Sequence, residues 1–237
     1  MQVSTQAIVF SAIKYADADL IVTCYTKTDG IKTYHVRGVL KSRRGRFKAS
    51  SFLPFTQLDI VARHRNKGTM EYLNETKISV PYSTLHTDVI KSSLVMFLSE
   101  VLKSVIREEE PNPELFSFLQ TALIDMDKRE NVGNFHIYFL LTLTRYLGFY
   151  PDANSEGLYF NMLEGVFQNS RTNTYCIQNE ASASLYSVLN DLNSIHELSL
   201  SKTLRKEFLT LLLTYYKLHV EGFRQPRSLK VLEQLFR

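Results

Sequence analysis

The first eighty residues alternate between apolar and polar positions in the way that β-strands do. DLIVTCYT (19–26) is a clear case, because side chains two apart in a strand face one way and Leu20, Val22 and Cys24 share one face. Ile21, Thr23 and Tyr25 share the other. Four other segments are rich in β-branched and aromatic residues, and short turns such as 28–30 separate them. The pattern predicts five strands. Eighty residues cannot supply two large facing sheets, so we expect a small closed barrel, which removes the sheet edges.

After Pro81 the apolar residues recur every three or four positions, which predicts helices. The first helix is expected to begin at a Ser83 or Thr84 cap and to bury a face that includes Ile90. A strongly apolar and therefore central helix should end at Gly148. The chain is thus predicted to be an α+β protein. The central helix is predicted at 131–148, and further helices are expected at 113–127, 180–192, 200–222 and 227–236. An irregular or hairpin insert is expected at 152–178.

The composition indicates an ordinary soluble protein, since 44% of its 237 residues are hydrophobic and 22% are charged. No apolar run approaches the ~20 residues needed to span a bilayer. The N-terminal segment lacks the basic region and cleavage site of a signal peptide. Cys24 and Cys176 are far apart, which indicates neither a disulfide framework nor a metal site. We therefore expect a cytoplasmic protein.

Charge is distributed unevenly along the chain. Residues 1–80 hold thirteen Lys and Arg against six Asp and Glu, a net charge of +7. The remainder holds fifteen against eighteen, a net charge of −3, so that the whole chain carries +4. A basic segment joined to a mildly acidic one predicts that contact with a polyanion belongs mainly to the N-terminal part.

Two connections within the barrel concentrate this positive charge. VRGVLKSRRGRFK (36–48) has no acidic residue, and ARHRNKG (62–68) adds cations from a later strand and turn. Arg63 and Arg65 are separated by one residue in a strand, so their side chains should lie on the same face. The candidate DNA-binding residues here are Arg37, Lys41, Arg43, Arg44, Arg46, Lys48, Arg63, Arg65 and Lys67, and a second, smaller basic cluster near the C-terminus adds Arg224, Arg227 and Lys230.

Aromatic residues are interleaved with the basic connections of the barrel. Proteins that bind single strands combine a cationic groove with aromatic platforms on which bases stack. The alternative is that the aromatic residues belong to the core and the cations are only solvated. The candidate platforms are Tyr34, Phe47, Phe52 and Phe55.

The sequence offers no support for catalysis. It contains neither G-x-S-x-G, nor G-x-x-x-x-G-K-[ST], nor H-E-x-x-H. The six histidines are scattered, and His136 lies in an apolar helix where a core histidine is expected. His35 and His64 lie beside cations, where they could contact phosphate. We therefore predict a protein that is not an enzyme.

Four segments, in the same order and over nearly the full length, resemble the RecO family of bacterial recombination mediators: QAIVFSAIKYADADLIVTCYTKTDG, HVRGVLKSRRGR, LTRYLGFYPD and HVEGFRQPRSLKVL. The resemblance implies an OB-fold barrel at 1–80 and a helical domain at 81–237. It also implies binding of single- and double-stranded DNA, strand annealing, and a location in the cytoplasm at the nucleoid. The implied partners are RecR and the C-terminal tail of single-stranded DNA-binding protein, with which the family helps load a recombinase. No contact with a membrane is implied.

The chain departs from the family in one respect. Many members carry a four-cysteine zinc site in the segment that corresponds to 152–178, where this sequence has only Cys176. We therefore expect no zinc and no other cofactor. Apolar packing should hold the insert instead, through Tyr159, Phe160, Met162, Leu163 and Phe167.

The implied partner peptide is acidic and ends in an apolar residue with a carboxylate, so it needs an apolar groove with basic edges. The helix predicted at 200–222 has apolar residues close to cations, and its candidate partner-binding residues are Lys202, Arg205 and Lys206. The alternative is that the apolar residues are all core. For the whole protein, the alternative to a DNA-binding mediator is a non-catalytic adaptor that bridges partner proteins without binding DNA directly.

Overall fold

The structure is a computed structural model that describes residues 1–41, 47–65, 70–107 and 110–235. The chain divides into two compact units, Met1–Arg129 and Glu130–Arg237. The first holds five strands and two helices, and the second holds the remaining helices and a small sheet. None of the described helices is long and apolar enough to cross a membrane.

The five strands of the first unit form a closed barrel in the order β1-β2-β3-β5-β4. The β3–β5 pair is parallel and the other four pairs are antiparallel. This is the strand order of the OB fold, so the predicted α+β fold with an N-terminal OB-type barrel is confirmed. The strands are β1 (Gln2–Tyr15), β2 (Asp19–Thr26), β3 (Gly30–Val36), β4 (Gln57–Arg63) and β5 (Glu71–Val80).

The alternation seen in the sequence places the inner face of each strand in the barrel core. Val22 and Cys24 on β2 are buried there with Leu58 and Ile60 on β4. The opposite face of β2 is also buried at Tyr25, whose ring lies 6.1 Å from that of Phe116 on the second helix. The barrel therefore has an interior core and a second apolar contact with its helices.

Two helices complete the first unit: α1 (Val89–Val105) and α2 (Pro113–Lys128). The predicted cap at Ser83 or Thr84 is wrong, because the side chain of Asp88 accepts the first free N–H groups of α1. The amides of Ser83 and Thr84 are instead bound by the carboxylate of Asp127, at 3.0 and 2.8 Å. These bonds hold the connection against the end of α2. Residues 85–87 then form a separate turn, in which the amide of Asp88 donates to the carbonyl of Thr84, so the helix starts later. Ile90 consequently lies at the exposed edge of the first turn.

The second unit contains α3 (Phe135–Tyr146), α4 (Glu180–Val188), α5 (Lys202–His219) and α6 (Leu229–Leu235), with a 3₁₀ turn at Leu192–His196. α3 is buried over most of its circumference, as predicted. Gly148 follows α3 with φ of +80°, and the amide of Phe149 donates to Thr144, which completes a glycine-based helix end. His136 on α3 is buried, and burial together with the charge of Arg205 lowers its pKa to about 3.

The insert at 152–178 is a small three-stranded sheet in the order β7-β6-β8, from β6 (Tyr159–Asn161), β7 (Val166–Gln168) and β8 (Cys176–Ile177). Phe160 and Phe167 pack together at 5.0 Å, and Met162 is also buried, as expected. Leu163 is 41% exposed, so its predicted packing role is wrong; it follows the strand at the start of the hairpin turn. Within the described ranges, no group of His, Cys, Asp or Glu is arranged to hold a metal ion.

Candidate nucleic-acid interface

The first basic connection leaves the barrel from a root that is tightly hydrogen-bonded. One carboxylate oxygen of Asp19 accepts the amide of Gly38 at 2.8 Å, and the other lies 2.7 Å from Nε2 of His35. Both bonds favour the ionised form and hold the pKa of Asp19 below its ordinary value. Gly38 has a φ of +68°, which suits glycine and turns the chain so that Arg37 and Lys41 are exposed.

The second basic connection has a similar root. The carboxylate of Glu71, which is buried, accepts the amide of Arg65 at 2.7 Å. The backbone of His64 exchanges hydrogen bonds with Met1, at 2.9 and 2.7 Å. These contacts fix the chain where β4 ends, while the side chains of Arg63 and Arg65 stay exposed.

His64 points into the barrel rather than toward a ligand. Its Nε2 lies 2.9 Å from the hydroxyl of Tyr34, and its Nδ1 lies 3.2 Å from a carboxylate oxygen of Asp29. Its side chain is 1% exposed, so the interpretation of His64 as a phosphate contact is wrong. His35 is half-buried, and its described partner is the carboxylate of Asp19.

Tyr72 brings the two basic connections together. The guanidinium of Arg37 lies over its ring at 5.6 Å from the centroid, and that of Arg65 lies over it at 5.0 Å. Both distances are within the range of cation–π attraction. Two arginines that are far apart in sequence thus meet at one half-exposed aromatic ring, at the end of the barrel where β3 and β4 finish and β5 begins.

Strand register explains this meeting. In the parallel pair His35 is opposite Tyr72, and in the neighbouring antiparallel pair Tyr72 is opposite Arg63. Register partners point to the same face of a sheet, and every member of this row is exposed or half-buried. The full row crosses the outer surface of all five strands through Ile13, Ile21, His35, Tyr72, Arg63 and Gln2.

Three carboxylates near this end of the barrel are bound to barrel residues, whereas Asp17 in the turn between β1 and β2 is exposed. Asp19 and Asp29 are 23% and 19% exposed at their side chains, and Glu71 is buried. Each accepts a hydrogen bond from, or pairs with, a residue of the barrel. The arginines point outward, so the outer surface here is positive although acidic residues are close by. We call Arg37, Arg63, Arg65 and Tyr72 the basic end of the barrel.

The remaining predicted DNA-binding residues fall into three groups. Lys41 and Lys48 are exposed at the two described edges of the first basic connection. In the C-terminal cluster of the second unit, Arg224 and Arg227 are exposed between α5 and α6, and Lys230 is exposed in the first turn of α6. Arg43, Arg44, Arg46 and Lys67 lie outside the described residues.

The predicted aromatic platforms are wrong in the barrel itself. Tyr34, Phe52 and Phe55 are at most 1% exposed, and Phe47 is half-buried with its ring 6.1 Å from that of Phe52. These rings belong to the core or pack against it, as the alternative interpretation held. The residue that sequence reasoning missed is Tyr72. No local alternation marks it, since the residues two positions away are Met70 and Asn74. The register that places Tyr72 between arginines joins distant segments of the chain.

The three predicted partner-binding cations lie in the first turns of α5, beside a cavity of about 290 Å³. Lys206 pairs with Glu233 of α6 at 3.3 Å. Arg205 is engaged within the unit, since it donates to the side chain of Asn134 at 3.1 Å and to the carbonyl of Leu200 at 3.2 Å. Apolar walls come from Leu209 and Leu232, and Lys202 is exposed at the edge.

Comparison with known proteins agrees with this architecture. Residues 1–82 match the family described as recombination protein O N terminal, and residues 86–229 match recombination protein O C terminal. The DNA repair protein RecO of Christiangramia forsetii is 49% identical over 100% of both chains. That of Flavobacterium psychrophilum is 44% identical over 100% of both chains, and that of Bacteroides fragilis is 32% identical over 98% of both. The chain therefore belongs to the RecO family.

Proposed function

We propose that this protein binds single- and double-stranded DNA without sequence preference, anneals complementary strands, and helps load a recombinase. Membership of the RecO family supports a role in DNA repair and recombination. The finer activities are inferred from the basic end of the barrel. The observation that carries the proposal is the convergence of Arg37, Arg63 and Arg65 at one outward surface.

The mechanism follows from electrostatics. Cations at the basic end neutralise phosphates and release the counterions condensed on DNA, which is favourable at low salt and independent of sequence. Phosphate contacts position a strand but leave the hydrogen-bonding edges of its bases free. A protein that holds two strands in this way leaves them able to pair. We infer that annealing is the outcome.

The test is a titration of labelled single-stranded DNA at several salt concentrations. If about five phosphates are contacted, the plot of log affinity against log salt should have a slope of about −3.5. A slope near zero, or no binding at low salt, would contradict the proposal and favour the adaptor that binds only partner proteins. Neutral oligonucleotides with methylphosphonate linkages serve as the control, because they retain the bases and lack the charge.

We further propose RecR and the C-terminal tail of single-stranded DNA-binding protein as partners. The cavity beside α5 supports the second of these, since it combines apolar walls from Leu209 and Leu232 with the exposed side chains of Lys202 and Lys206, the latter paired with Glu233. An acidic peptide that ends in an apolar residue requires both kinds of surface. Because Arg205 is engaged with Asn134, we assign it to the support of the cavity wall.

Calorimetry with the tail peptide tests this assignment. The complete peptide should bind, and a peptide that lacks its last residue should bind at least about tenfold more weakly, because a terminal carboxylate with a buried apolar side chain is worth about 1.4 kcal/mol or more. Lys206→Ala should weaken the complete peptide selectively, whereas Arg171→Ala, a change at an exposed cation of the insert, should not. Equal binding of both peptides would contradict recognition of the terminal apolar residue, since the shorter peptide still ends in a carboxylate.

A further inference from the structure

Tyr72 lies at the centre of the basic end, and its half-buried ring is surrounded by cationic side chains. It is half-buried on the outer face of β5, with His35 opposite it on one side and Arg63 opposite it on the other. The guanidinium groups of Arg37 and Arg65 cover its ring from two different connections. An aromatic ring is thus held at the surface between cations. Tyr15, the other exposed ring near His35, packs edge-on against that histidine at 5.5 Å.

This placement matters because three of the four aromatic platforms predicted from the sequence are buried. Tyr34, Phe52 and Phe55 are at most 1% exposed, and they could reach a base only if the barrel opened. Phe47 is half-buried and packs against Phe52. The ring of Tyr72 needs no such rearrangement. When DNA phosphates draw the two arginines outward, the face of the ring that they cover becomes available to a planar group.

The planar group that fits is an unpaired base. Stacking of a base on an aromatic side chain is worth about 1–3 kcal/mol by alanine substitution and tolerates any base, because every base has a π-face. In a duplex the bases are stacked on one another and are not presented to an outside ring. Cations alone bind the phosphates of single-stranded and duplex DNA alike. A stacking ring placed among them therefore raises the affinity for single-stranded DNA only.

We propose that Tyr72 stacks an unpaired base, with Arg37 and Arg65 on the flanking phosphates, and that this gives the basic end its preference for single-stranded over duplex DNA. The proposal rests on the DNA binding proposed above. It makes Tyr72 a specificity residue, whereas the arginines provide affinity for either form of DNA.

The experiment compares a labelled oligothymidine with a labelled duplex of the same length. Tyr72→Ala should weaken binding of the single strand about tenfold and binding of the duplex less than about twofold, given the stacking energy. Tyr72→Phe and Tyr72→Trp should keep the preference, since both retain a stacking face. Tyr175→Ala, at a tyrosine that is 40% exposed in the insert, is the matched control and should change neither affinity.

Tyr72→Trp also provides a direct reading of stacking. The sequence contains no tryptophan, so this variant has a single indole at the proposed platform. Its emission should be quenched by the single strand and much less by the duplex. Equal loss of both affinities in Tyr72→Ala would show that the ring only holds the arginines, and would overturn the proposal, as would an unquenched indole. If the unaltered protein binds neither DNA, the proposed function itself fails.

Discussion

Replacing Arg37, Arg63 and Arg65 together with alanine is expected to lower the affinity for single-stranded DNA about 50-fold at about 0.15 M salt. Each phosphate contact on a single strand contributes about 0.7 to the salt slope, which at that salt is a factor of roughly 4 in affinity. Loss of three such contacts multiplies these factors and gives the expected loss of about 50-fold in affinity. Anisotropy titrations at several salt concentrations would measure both quantities, and the slope should become shallower by about 2.

The matched control removes three exposed lysines of the same unit, Lys77, Lys103 and Lys128, and thereby makes the same change in net charge. We expect this control to keep most of its affinity, since a diffuse charge effect is weaker than loss of contacts. The arginine variant should still unfold cooperatively, because cation–π contacts at exposed sites contribute only about 0.5–1 kcal/mol each. Equal losses in the two variants would show that the basic end is no binding site.

Much of the barrel could be predicted from the sequence because its signals are local. Alternation within β2 and the turns between strands depend on neighbours a few residues apart. The basic connections can be recognised in the sequence for the same reason, because their cationic residues are close together along the chain. The sequence therefore indicates both basic connections as the candidate interface, but it does not indicate Tyr72.

The features that could not be predicted depend on pairing between distant segments. The parallel register of β3 with β5 decides that Tyr72 faces outward between arginines, and no local pattern states that register. The same holds for Tyr34, which looks like a surface aromatic among cations until His64 is seen to bind its hydroxyl inside the barrel. The late start of α1 depends on Asp127, which lies about forty residues away along the chain.

The insert raises the related question of what holds a small sheet together in place of a metal. The sulfur of Cys176 has two polar neighbours. The side-chain amide nitrogen of Gln168 and the hydroxyl of Thr172 each lie 3.5 Å from it. The aromatic pair of Phe160 and Phe167 lies on the sheet, and Phe160 also lies 5.6 Å from Tyr215 of α5. Packing of this kind requires close approach of the backbone, and Gly157 is where that approach is tightest.

Gly157→Ala is expected to destabilise the protein by about 3 kcal/mol, which for a chain of this size lowers the thermal midpoint by roughly 6–12 °C. Gly157 has a φ of +149°, which L-residues rarely adopt, and an added Cβ would overlap the backbone carbonyl of Gln168. Gly148→Ala is the matched control: its φ is +80°, but a Cβ there would meet nothing within 4 Å. It carries backbone strain alone, about 1 kcal/mol. Calorimetric scans should show the larger loss for Gly157→Ala, with or without a chelator, and equal losses would show that the close approach does not stabilise the insert.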